Sequence, residues 1–273
     1  MNTADIARIA VRVAQKIPKV YDAGYIEGVK IAESKPYINT KEISDFYYFC
    51  YNDRFAFDEL LRLDTSKGTS FSYMFRKCTN LTTIPQLDTS KGTVFSDMFR
   101  ECTNLTTIPQ LDTSNGTVFS DMFNKCTSLT TIPELDTSNG TDFGYMFVDC
   151  TSLTTIPELD TSNGTHFSYM FRECTNLTTI PQLDTSKGTV FGSAFFECTN
   201  LTDITIKEGA TINADFDIRY SPLTHKSLTS IINALKNNSS STKTLTLTIG
   251  SDNIAKLTED ELNIIKSKGW KYA

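Results

Sequence analysis

The sequence predicts an α/β repeat fold: a solenoid of coils, each with a short parallel strand and a short helix, capped at both ends. Three observations predict it: near-identical units recur every 24 residues, each unit holds its apolar residues in a fixed frame, and both ends depart from that frame. Full units begin at Leu81, Leu105, Leu129, Leu153 and Leu177, and a partial unit runs from Leu63 to Asn80. No unit can close a core alone, so neighbours must stack.

Within one unit, Leu105-Thr-Thr-Ile108 is β-prone, and Pro109 ends it because proline cannot donate to an interior ladder. Asp112-Thr-Ser-Asn-Gly116 is turn chemistry, in which the Asp side chain bonds nearby amides and Gly accepts positive φ. Phe119, Met122, Phe123 and Cys126 then follow the i, i+3, i+4, i+7 spacing of about two helical turns. Strands stacked about 4.8 Å apart would carry six units roughly 30 Å.

The chain divides into an N-terminal helical segment (1–35), an N-terminal cap (36–62), the repeat array (63–206) and longer C-terminal coils with a cap (207–273). Ile6, Ile9, Val13, Ile17 and Val20 form one helical stripe in the first segment, suited either to packing on its own cap or to self-association and particle docking. In the second, Phe57, Leu60 and Leu63 fall in frame with Leu81, Ile84 and Leu87. After the array, Phe216–Tyr220 and Thr244–Ile249 alternate like strands, and Leu228, Ile231, Ile232 and Leu235 have helical spacing. Thr258-Glu-Asp-Glu261 is a capping box opening a last helix, with Gly269 as its stop.

A net charge of −6 and a pI near 5.1 argue against a duplex-binding surface, so nucleic acid is not an expected partner. No run of about 18 apolar residues exists to span a membrane, and the opening residues lack the apolar core of a signal peptide.

The pattern Phe195-Phe-Glu-Cys198-Thr-Asn-Leu201-Thr-Asp-Ile204-Thr-Ile206 resembles the BspA-type bacterial leucine-rich repeat. Units with Met-Phe-x-x-Cys and Leu-Asp-Thr-Ser are similar to its variant in mycoplasma, Firmicute and gut-bacterial surface proteins. The resemblance covers about residues 50–206 and implies a right-handed leucine-rich-repeat solenoid used in adhesion or ligand binding. The ending from Leu223 and the stretch Val20–Gly28 resemble tail-associated proteins of phages and prophages. That resemblance implies a phage particle, or the bacterial cytoplasm before assembly, with the cell surface as the alternative. The implied partner is a host-surface protein or glycan.

Several columns could carry chemistry. Cys78, Cys102, Cys126, Cys150, Cys174 and Cys198 recur at apolar frame positions, which favours a reduced buried ladder over disulfides or a metal site, and no CxxC pair is present. Asp64, Asp88, Asp112, Asp136, Asp160 and Asp184 read as turn caps, with calcium bridging as the alternative. The two histidines, His166 and His225, adjoin no recognisable nucleophile motif, and no phosphate loop is present, so neither enzyme activity nor a cofactor is expected.

The positions that break the repeat are better candidates for recognition. Tyr73, Asp97, Asp121, Tyr145 and Tyr169 share one column, and Asp142 and His166 share another, while Arg76-Lys77 gives way to Val148-Asp149 or Phe196-Glu197. On helical, solvent-facing positions this variation means either relaxed constraint or a recognition face in which tyrosines supply contacts at small entropy cost. Threonine columns starting at Thr82 and Thr83 form a second, flat, hydroxyl-rich candidate surface. A structural spacer that binds no ligand remains the alternative to both.

Overall fold

The computed structural model describes residues 30–31, 38–55, 60 and 63–273. The proposed attachment stripe, Ile6 to Val20, and Phe57 lie outside these residues. The short antiparallel pair β1 (Lys30–Ile31) and β2 (Ile38–Asn39) precedes the stacked coils.

The coils stack as the repeat requires. Two phenylalanine ladders run through the core. Phe95, Phe119 and Phe143 stack at 5.7 and 5.8 Å between ring centroids, and Phe99, Phe123 and Phe147 at 5.6 and 5.5 Å. Met98, Met122 and Met146, the cysteine column and the Leu-x-x-Ile-x-x-Leu positions fill the space beside them, nearly all inaccessible to solvent. Gly116 packs against this ladder. A Cβ there would lie 2.5 Å from Phe119 Cζ and 2.9 Å from the Thr113 carbonyl oxygen, so glycine is required for room. Positive φ is not the reason: among the described glycines only Gly209, Gly250 and Gly269 adopt it.

The expected short helix is absent, and no helix forms between residues 63 and 224. Phe119 to Cys126 instead alternates two kinds of bond. The amides of Phe119, Asp121, Phe123 and Lys125 donate to carbonyls of the next coil at Asp142, Gly144, Met146 and Val148, at 2.7–2.9 Å. Those of Met122, Asn124 and Cys126 donate three residues back, at 2.9–3.2 Å. Aiming alternate amides along the stack puts Asp121 (φ 58°) and Lys125 (φ 61°) in the left-handed region, and the equivalent pair recurs in every coil. The apolar spacing is the same in a helix and in this turn ladder, so periodicity alone could not separate them.

Left-handed backbone costs a non-glycine residue about 1 kcal/mol or more. Lys125→Gly, at an exposed position, is therefore expected to stabilise the fold by about 1 kcal/mol in denaturant unfolding, and a loss of stability would contradict the strain.

Strand pairing is also displaced. Parallel bridges link Ser70, Val94, Val118, Asp142, His166 and Val190 in succession. In the Leu-Thr-Thr-Ile stretch, successive coils are joined by single amide bonds such as Thr106 N–H to Thr82 O at 2.9 Å, and a strand pair forms only at the end of the array, where β3 (Thr179–Leu183) continues through Pro181 and lies parallel to β4 (Asp203–Ile206).

The stack reaches further toward the N-terminus than the 24-residue repeat indicates. Phe46, Tyr48, Cys50 and Asn52 donate their amides to Ser70, Ser72, Met74 and Arg76, and Phe46 stacks on Phe71 at 5.6 Å. The offset here is 25 residues, and Cys50 stands where later coils have phenylalanine.

At the other end the parallel sheet β5 (Phe216–Asp217), β6 (Leu245–Thr248) and β7 (Trp270–Tyr272) replaces the turn ladder. Helix α1 (His225–Ala234) buries Leu228, Ile231 and Ile232 and is capped by Thr224, whose side chain accepts from the Ser227 amide. The short α2 (Ser251–Ile254) leads to α3 (Glu259–Ser267), which opens on the expected reciprocal capping box of Thr258 and Glu261. Glu261 also meets His225 and Thr229, which ties α3 to α1. Gly269 (φ 79°) then turns the chain into β7.

Candidate functional site

The regular columns are occupied by structural work. All seven cysteines are free and buried. Each thiol of the repeat column donates to a carbonyl of the coil before it, for example Cys126 Sγ to Phe99 O at 3.1 Å, and burial pushes these thiols well up from their ordinary value. In the aspartate column, Asp112 Oδ1 accepts from the Ser114 amide at 3.1 Å and from its hydroxyl at 2.7 Å, and equivalent amide bonds recur at Asp64, Asp88, Asp136, Asp160 and Asp184. Among the described residues no group of three or more His, Cys, Asp or Glu is placed to hold a metal.

The serine hydroxyls hold the Asp64, Asp112 and Asp160 carboxyls below their ordinary pKa. A depressed folded-state pKa contributes stability above the unfolded value, near pH 4, which is lost as pH falls through the folded one. Asp64→Asn/Asp112→Asn/Asp160→Asn keeps an acceptor oxygen at each turn but removes the titration. We expect its thermal midpoint to fall less between pH 7 and pH 3 than that of the native chain. An equal fall would deny these turns their part in acid sensitivity.

The first threonine column is likewise engaged. Thr106 Oγ1 donates to Thr82 O at 3.0 Å, and Thr178 Oγ1 to Thr154 O at 3.3 Å, so these hydroxyls bridge coils.

The repeat-breaking positions gather on one face. Asp142, His166 and Val190 sit in the bridge column. Tyr73, Asp97, Asp121, Tyr145 and Tyr169 occupy the first left-handed position of successive coils, with φ from 56° to 60°. These positions are not simply solvent-facing, because Asp97 is 5% exposed and the neighbouring Asn124 and Val148 are 4% and 8%.

More telling, most of them match a neighbour in an adjoining coil. Near the N-terminal end Tyr73 stacks on Tyr48 at 4.7 Å, takes the edge of Tyr47 at 5.1 Å, and carries Arg76 over its ring at 5.4 Å. Burial first, and then Asp97, pushes the Tyr73 phenol up to about 12. In the middle Arg100 bridges Asp97 at 3.1 Å and Asp121 at 3.0 Å, and Asn124 donates to Asp121 at 2.7 Å. Toward the C-terminal end Tyr145 stacks on Tyr169 at 4.8 Å, and Arg172 lies over both Tyr169 and Phe196. Phe196 takes the edge of Tyr220 at 5.2 Å, and His166 Nδ1 lies 3.0 Å from Asp142 Oδ1.

All seven candidate recognition residues thus fall on this face. Sequence reasoning missed Tyr47, Tyr48, Tyr51 and Arg54, which belong to the unrecognised first coil. The cation–π contacts of Arg76 and Arg172 are silent in the sequence, where their column shows only variation. The pairing Asp45-Phe46-Tyr47-Tyr48 against Ser70-Phe71-Ser72-Tyr73 was the available signal.

Comparison with known proteins bears on this arrangement at the level of family. A family model described as "Mycoplasma protein of unknown function, DUF285" matches residues 34–131 and again 104–208. The crystal structure of a T. pallidum leucine-rich-repeat protein is similar over 70% of this chain and 84% of its own, at 18% identity and a TM-score of 0.48. No curated protein matches the sequence.

Proposed function

This chain belongs to the DUF285 family, and from that premise we propose that it is a non-enzymatic binding module whose variable face recognises its partner. One observation carries the proposal. Three sets of differences match across neighbouring coils: tyrosine opposite tyrosine, arginine between aspartates, histidine against aspartate. Relaxed constraint would scatter changes without such matching. Tyrosine and arginine are also the side chains that dominate contact energies at protein interfaces.

In the fuller form of this reading the chain is a right-handed leucine-rich-repeat solenoid on a phage or prophage tail. Residues 1–35 attach it, and the variable face meets a host-surface protein or glycan. The likeness of its ends to tail-associated proteins supports that placement. The second reading, a cell-surface adhesin, is supported by the likeness of its repeats to bacterial surface proteins. Among the described residues no helix is long and apolar enough to cross a membrane. Mass spectrometry of purified particles separates the two, since only a tail component co-purifies with them.

To test binding itself, labelled full-length chain is added to a panel of intact bacterial cells. Tyr145→Ala/Tyr169→Ala is expected to lower retention about tenfold or more while circular dichroism stays unchanged. Equal retention by the variant would favour a spacer whose repeats only set length.

A further inference from the structure

The two halves of the variable face differ in exposure and in charge. Of the four exposed large apolar side chains among the described residues, Tyr145 (38%), Val190 (45%) and Tyr220 (57%) lie in its C-terminal half, and Ile264 lies apart on α3. Beside the tyrosine column, the second left-handed position reads Asn52, Lys77, Glu101, Lys125 in the first four coils and Asp149, Glu173, Glu197 in the next three. The first half neutralises itself, with Glu101 within reach of Arg76, Lys77 and Arg100. In the second, Arg172 is held by Glu173 at 2.8 Å, and the Asp149 carboxyl is pushed up first by burial and then by its neighbour Glu173.

Ring orientation narrows the partner further. Tyr145 and Tyr169 face each other at 4.8 Å and 21°, and Arg172 lies over the Tyr169 ring. A sugar packs its C–H groups on an open aromatic face, and here each ring turns one face to the other while Arg172 takes up the Tyr169 ring. The ring edges and hydroxyls that remain beside that stack suit hydrogen bonding and apolar contact with protein side chains.

We infer that the C-terminal half of the variable face binds a protein surface rich in lysine and arginine, which approaches the exposed tyrosines and pairs with the acidic column beside them. This rests on the binding-module reading and names its partner class. Incoming cations relieve the repulsion within the acidic column, and the exposed tyrosines bury their apolar edges. The free chain's net charge of −6 adds long-range attraction that salt should weaken.

The test presents full-length chain to an array of short synthetic peptides matched in hydropathy and graded from basic to acidic, together with a glycan array. Basic peptides should be retained. Tyr145→Ala/Tyr169→Ala and Glu173→Gln/Glu197→Gln should each weaken that retention about tenfold or more, and Glu173→Lys/Glu197→Lys should move the preference to acidic peptides. Circular dichroism of every variant checks folding. Retention of glycans or acidic peptides alone, or of no basic peptide, overturns the inference. If that other binding is lost with the tyrosines, the variable face still stands as the binding site. If basic-peptide binding is untouched by all three variants, both the inference and the site fall.

Discussion

Replacing Phe119 by alanine should cost about 3–5 kcal/mol, the range for emptying a large aromatic site in a core that cannot collapse around it. Phe119 is wholly buried, with Phe95 on one side at 5.7 Å and Phe143 on the other at 5.8 Å. Both neighbours are fixed by their own stacks, so neither can move in without breaking another contact. Coils of a repeat protein are stabilised by their interfaces, and this substitution weakens two at once. Urea unfolding followed by circular dichroism should show the midpoint fall sharply. A loss under about 1 kcal/mol would mean that the ladder is not where cohesion lies.

Arg100→Ala should be the next most damaging change, at about 3 kcal/mol, the low end for breaking a buried ion pair because Arg100 itself is partly exposed. Its loss leaves Asp97 and Asp121 facing each other with no cation between them. Burial already raises both carboxyls, and the pH dependence follows from that direction. A folded-state pKa raised above the unfolded value stabilises at low pH, and that contribution is lost as pH rises through the folded value. The deficit of Arg100→Ala should therefore shrink as pH falls from neutrality into the carboxylate range. A deficit that stays constant or grows on acidification would refute the argument.

Much of this architecture was legible in the chain. The capping box at Thr258 and Glu261, the apolar spacing of α1 and the stop at Gly269 are local signals, and local chemistry decided the outcome. The cysteine and aspartate columns could be assigned to core and turn because their neighbours within one unit explain them. What failed depended on the next coil. Phe119 to Cys126 has helical spacing, but its amides bond across the stack, and nothing within a single unit reports where an N–H will point. The coil around Phe46 to Asn52 escaped because one extra residue breaks the repeat period and Cys50 replaces a phenylalanine. The variable positions were visible as variation, yet their meaning was not. Tyr145 against Tyr169, or Arg100 between two aspartates, becomes a match only when residues about 24 apart are set side by side.

That matching is the ground for treating the face as a recognition surface, and hydroxyl-radical footprinting of the full-length chain, free and bound to cells that retain it, examines the claim directly. Protection at Tyr145, Tyr169 and Tyr220, with the threonine column from Thr82 to Thr178 unchanged, is the expected result. Protection of the threonine column with those tyrosines still reactive would contradict it.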